Sequence, residues 1–148
     1  MYSIPIYKVM LVKDGNQKAE QKSITCPNTA RDIVSSYLAG VDREHFVALM
    51  VDQKHKVIGI NTVSVGSLNS SVVHPREVFK PAILSNAAAI ILAHNHPSGD
   101  PMPSAEDIEV TRRLVAAGET LGIAVLDHII IGCEVTGRYV SLKEQGII

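Results

Sequence analysis

His94 and His96, separated by Asn95 and placed at the end of the apolar run 87–93, restrict what this chain can fold into more than any other feature. Alternate residues of a strand point the same way, so the two imidazoles project to one side. Residues 90–92 read as a strand buried on both faces, and the Pro- and Gly-containing segment 97–103 cannot continue it. The histidines therefore sit where a strand opens into a loop. Ser104 and Asp107 then have the form of a helix start, an N-cap with an acid three positions later, and the helix is expected to run to Gly122. A strand end and a helix N-terminus must meet at this point.

Capping alone would explain Ser104 and Asp107. On a helical wheel of about 100° per residue, however, Thr111, Leu114, Gly118 and Leu121 lie within roughly 40° of Asp107, while Glu106, Glu109, Arg112 and Arg113 point away. Asp107 is thus expected to face the core, where an unpaired carboxylate is costly and a cation beside two imidazoles supplies a partner. His94, His96 and Asp107 together form a three-ligand set with one position left for water, as in hydrolytic zinc sites. Calcium and magnesium prefer oxygen cages, and iron–sulfur clusters need thiolates, but iron, manganese and cobalt also suit two histidines and a carboxylate.

The spacing H-x-H-x7-S-x2-D resembles the JAMM motif of the JAB/MPN metalloprotease fold. Residues 66–77, 93–101 and 126–132 are similar to the RadC family, and the resemblance covers roughly residues 26–148. It implies that His94, His96 and Asp107 bind Zn2+ and that Ser104 holds the oxyanion of a tetrahedral intermediate. It also implies a glutamate ahead of a central strand that handles the proton of a metal-activated water. Glu44, preceding the strand 46–52, matches that position; without the downstream motif it would read as a solvated surface residue. Glu20 lies in a polar stretch, and Glu77 is accounted for by helix-dipole complementarity after Pro75. The implied activity is cleavage of a peptide or isopeptide bond. Larger RadC proteins carry an N-terminal helix-hairpin-helix region, for which too few residues precede Cys26, so a short form is expected and no DNA-binding role of that region is carried over.

Other polar residues read as structural. His74 before Pro75 is expected to cap a helix, and a place on the rim of a substrate site is the alternative. His128 is expected as a hydrogen-bonded core residue, with support of a metal ligand as the alternative. Asn95 is expected to point away from the ligands and orient loop backbone. Cys26 and Cys133 form no local metal or redox motif, and two reduced thiols are expected.

The 148 residues, 46% hydrophobic, suffice for one core, with residues 1–25 joining the domain formed by 26–148. No apolar run is long enough to span a bilayer and no signal-peptide pattern opens the chain, so cytoplasm is the expected location. Residues 2–12 read as a strand, 13–16 as a turn and 17–23 as a polar connection. A helix over 29–38 is expected, capped by Thr29 and Asp32 and stopped by Gly40. A hairpin of 46–52 and 57–65, a helix over 75–88, the strand before His94, the long helix, and final strands near 124–131 and 138–140 follow. This order predicts an α/β fold of the JAB/MPN (cytidine deaminase-like) type, a mixed sheet flanked by helices.

Three function classes follow. The first is a zinc hydrolase acting on a peptide or protein substrate. The second is a DNA-repair accessory factor or metal-dependent phosphodiesterase, which a net charge of -1 and the lack of a Lys/Arg stripe disfavour as a direct nucleic-acid binder. The third is a metal-stabilised interaction module. Homo-oligomerisation is compatible with all three, and no membrane partner is expected.

Overall fold

The computed structural model describes residues 1–67 and 73–148. Part of the RadC-like stretch 66–77, residues 68–72, lies outside them. Five strands, β1 (His45–Val51), β2 (Val57–Val65), β3 (Ala89–Asn95), β4 (Ala124–Ile131) and β5 (Tyr139–Ser141), form one sheet in the order β2-β1-β3-β4-β5. The β1–β2 hairpin, the β1–β3 pair and the β4–β5 pair are antiparallel, whereas β3 and β4 are parallel. A parallel pair needs a crossover, and helix α3 (Ala105–Leu121) provides it. The mixed α/β sheet expected from the element order is the one observed.

Period-two alternation divides the core into two layers. Val47, Leu49, Val51, Ile91 and Ala93 pack against α1 (Pro27–Tyr37). Phe46, Ala48, Ile90 and Leu92 pack on the other face against α2 (Pro75–Leu84) and α3. Strand β3 sits at the centre with all seven residues buried. Because His94 follows Ile90 and Leu92 at intervals of two, the sheet delivers its imidazole to the α3 face.

Several boundaries differ from the sequence reading. Helix α1 begins at Pro27 with Cys26 as N-cap, and no side-chain cap bond is present. Pro27 is preorganised for the first helical turn, so Thr29 lies one turn further in and is buried. Asp32 instead pairs with Arg31 at 2.7 Å. Helix α2 ends at Leu84 rather than at 88, because Asn86 adopts φ 56° and the Ala87 amide returns to the Ala82 carbonyl at 2.9 Å. β1 and β5 are displaced by one residue from their expected positions. Residues 2–12 are not a strand: no described residue pairs with them in a ladder, and their side chains are exposed.

Candidate metal centre

The site forms where the C-terminal end of β3 meets the N-terminus of α3. His94 is fully buried in β3, paired with Phe46 of β1 and Ile130 of β4 in the sheet register. The Phe46 ring stacks along His94 with centroids 6.0 Å apart and screens that side from water. His96 lies just past the strand, tied to the end of β4 by its amide bond to the Ile131 carbonyl (2.8 Å). The following loop curls back: the Gly99 amide donates to the His96 carbonyl (3.0 Å), with Gly99 at φ 90°. This places the Asp100 carbonyl 2.7 Å from His96 Nδ1.

Asp107 combines the two readings that its sequence position allowed. Ser104 Oγ accepts from the Asp107 amide (3.0 Å), and Asp107 Oδ2 accepts from the Ser104 amide (2.8 Å), a complete capping box. The same carboxylate is buried and turned toward the histidines, with Oδ1 3.3 Å from His94 Nε2 and Oδ2 3.1 Å from His96 Nε2. The two Nε2 atoms are 3.0 Å apart. One ligand atom from each of the three residues lies within 4.8 Å of the others.

The surrounding hydrogen bonds fix where the protons are. The Asp100 carbonyl can only accept, so His96 Nδ1 carries a hydrogen and neutral His96 has a bare lone pair at Nε2. The Thr111 hydroxyl donates to the Asp107 carbonyl (2.7 Å), and therefore accepts from His128 Nδ1 (2.6 Å). His128 Nε2 is then bare and accepts from His94 Nδ1 (2.7 Å), which leaves His94 Nε2 bare as well. Two nitrogen lone pairs and a carboxylate thus face one another inside the protein. Electron-pair donors so arranged repel unless a cation lies among them, and the donor set fits a metal ion.

In the metal-free protein the same geometry favours a proton on His96. Its hydrogen bond to Asp107 raises the pKa of His96; burial opposes this, while the Asp100 carbonyl and the charges of Asp107 and Glu44 add to it. Burial alone would raise the pKa of Asp107. The hydrogen bonds and charge of His94, the bond from His96 and the Ser104 amide outweigh it and hold the carboxyl far below the usual range. Burial, followed by the positive potential of His94, pushes His128 well down, so it stays neutral.

Glu44 lies half-buried immediately before β1, its carbonyl accepting from the Gly66 amide (2.8 Å), and its charge reaches His96. Asn95 holds this entrance. Its Oδ1 accepts from the His45 amide (2.7 Å) and its Nδ2 donates to the Arg43 carbonyl (3.0 Å), so the side chain brackets Glu44 on both sides. Asn95 therefore orients backbone, as the sequence suggested. His74 caps α2, with Nδ1 accepting from the Arg76 amide (3.1 Å). His128 is the residue whose weight changes: it is a hydrogen-bonded core residue and also the direct support of His94. Thr111, placed on the Asp107 face by the wheel but given no role there, completes the chain from His128 back to Asp107.

A family model described as the RadC-like JAB domain matches residues 24–147. Relatives include a UPF0758 protein of Caldanaerobacter subterraneus, 54% identical over 139 residues that cover 94% of this chain and 57% of the relative. A UPF0758 protein of Desulforamulus reducens is 55% identical over 125 residues, 84% of this chain and 54% of that protein. One of Moorella thermoacetica is 57% identical over 122 residues, 82% and 52% respectively. The chain spans just over half the length of these relatives, and their names assign no activity. The five-stranded mixed sheet with three helices accords with a JAB/MPN fold. Among the described residues, no helix is long and apolar enough to cross a membrane.

Proposed function

The chain belongs to the RadC-like JAB domain family, and on that premise we propose that it is a zinc-dependent hydrolase of the JAMM type, cleaving a peptide or isopeptide bond. The convergence of the bare Nε2 atoms of His94 and His96 on the buried Asp107 carboxylate carries this reading. Two nitrogens and one oxygen suit zinc and leave a coordination position open. Bound there, zinc supplies Lewis-acid polarisation and brings the pKa of a water to about 7.

The remaining work belongs to the chain. Glu44 accepts a proton from the attacking water and delivers it to the leaving amine, which fits its half-buried place before β1, from which its charge reaches His96. Ser104 Oγ is held by the Asp107 amide, which fixes its direction and leaves its hydrogen to donate to the oxyanion. Phe46 and the buried His128 keep water from the inner side of the ligands.

The test is metal content by mass spectrometry on protein purified without chelator, joined to a panel of fluorogenic peptides and isopeptides with labelled single-stranded and duplex DNA as controls. Wild type should hold near-stoichiometric zinc and cleave an amide substrate in a chelator-sensitive way. His96→Ala and Asp107→Ala should lose both zinc and cleavage. Ser104→Ala should keep the zinc and lose about 10²–10³ in rate. Equally low metal in all proteins after zinc reconstitution, or chelator-sensitive cleavage of DNA alone, overturns the proposal.

A further inference from the structure

Residues 1–12 present nine large apolar side chains to solvent, seven of them (Tyr2, Ile4, Ile6, Tyr7, Val9, Met10 and Val12) at 73–97% exposure. A contiguous apolar segment of this size is rarely left uncovered. Leu11, the least exposed of them, lies at the mouth of a cavity of about 420 Å³ lined by Asn61, Thr62 and Val63 of β2 and Glu77, Lys80, Pro81 and Leu84 of α2.

The surface around that cavity is also unpartnered. β2 is an edge strand, and among the described residues nothing pairs with its outer side between Ile58 and Val65. Exposed edges are normally blunted by charge or proline, yet the nine residues of β2 contain neither. Two register irregularities interrupt its pairing with β1. Ile58 and Val65 of this strand and Ile83 and Leu84 of α2 are exposed nearby.

The path of the chain joins the two features. Ser23 bridges Lys56, and Gln17 bonds to Ser36 of α1 (2.9 Å), so the polar connection lies on the α1 side of the sheet. Leu11 is already on the α2 side. The chain has therefore crossed the β2 edge by residue 11, and residues 1–10 leave the domain from the rim of the edge itself.

We propose that residues 2–10 are an exchanged strand that pairs with the β2 edge of a second copy of this chain, in a reciprocal two-fold dimer. Donor and acceptor lie side by side on one protomer, which makes the surface self-complementary under a two-fold axis. Nine extended residues span roughly 30 Å, the length of the nine residues of β2. Even-numbered residues turn their backbone N–H and C=O groups to one side, and Pro5, which has no N–H, falls on the other. Pro5 is thereby accommodated, because an added edge strand pairs on one side only. Two exchanged arms cover on the order of 1,500 Å², the size of a standard stable interface.

Sedimentation velocity over a concentration series, combined with amide hydrogen exchange on the 148-residue chain, tests this. Wild type should form a dimer, with slow exchange at those amides of residues 58–65 that face away from β1. The arm variant Ile4→Lys with Ile6→Lys should raise the dissociation constant by at least about 100-fold, keep its circular dichroism, and lose that slow exchange. Ile58→Lys, on the acceptor edge, should also weaken the dimer. A monomer at every concentration overturns the proposal, including one whose arm folds back on its own β2 and protects it. So does a dimer indifferent to the arm substitutions, or one that the arm substitutions weaken without changing exchange in β2.

Discussion

Asn95 stands between His94 and His96 and bonds away from both, and its effect on the site runs through backbone. Its amide satisfies the His45 N–H and the Arg43 C=O, the two groups that flank Glu44. Asn95→Ala leaves both without that partner, and about 2 kcal/mol of stability should be lost in chemical denaturation. Because no ligand is touched, bound zinc should stay stoichiometric while turnover falls; unchanged turnover would show that Glu44 needs no such support. His128 acts on His94. Removing its Nε2 orphans the His94 Nδ1–H inside the core, so His128→Gln should weaken zinc binding about 10- to 100-fold in competition with a chromophoric chelator. Unaltered affinity in a folded variant would reduce His128 to packing.

At the scale of elements, the position of Asp107 depends on how closely α3 lies against the entry to β4. Gly118 is buried in α3, and a Cβ there would overlap the Ile123 carbonyl oxygen and press on the Phe79 ring at 3.3 Å. Gly118→Ala should therefore destabilise the protein by about 1–3 kcal/mol, despite the helix propensity of alanine, read as a lower denaturation midpoint. A midpoint at or above wild type would mean that the contact yields. The sequence made this helix legible because cap, periodicity and terminal Gly122 agree, and β2 and β4 matched their expected limits for the same reason. Where local signals competed, tertiary context decided. Pro27 took the start of α1 from Thr29, and the left-handed Asn86 ended α2 before its alanines. Residues 2–12 have the alternation of a strand, but pairing is not a local property and none of the described residues pairs with them. The three side chains that converge, His94, His96 and Asp107, were readable from 94–107, whereas the support of His94 by His128 depends on register across the parallel β3–β4 pair, which no local pattern encodes.

For the whole molecule, the site joins β3 to α3, two elements linked by a loop with three prolines, so occupancy and global stability are coupled. Zinc at a thousandfold excess over its dissociation constant should add about 4 kcal/mol, a rise in thermal midpoint on the order of 10 °C. The pH dependence separates metal from proton. In the metal-free protein His96 has its pKa raised above 6.5, so its contribution is full below 6.5 and is lost as pH climbs through the raised value. His128 has its pKa depressed below 6.5, so its contribution is present above 6.5 and is lost as pH falls. Asp107, held below its ordinary 3.8, contributes throughout this range. Taken together, these three groups contribute most near the ordinary histidine value. Zinc requires both Nε2 atoms bare, so protons compete with it and its added stability should grow as pH rises through the raised His96 value. Thermal midpoints with chelator and with zinc, from mildly acidic to mildly alkaline pH, should therefore diverge toward the alkaline side. A constant gap between the two curves would mean that zinc binds away from His96, and the site would have to be sought elsewhere on the surface.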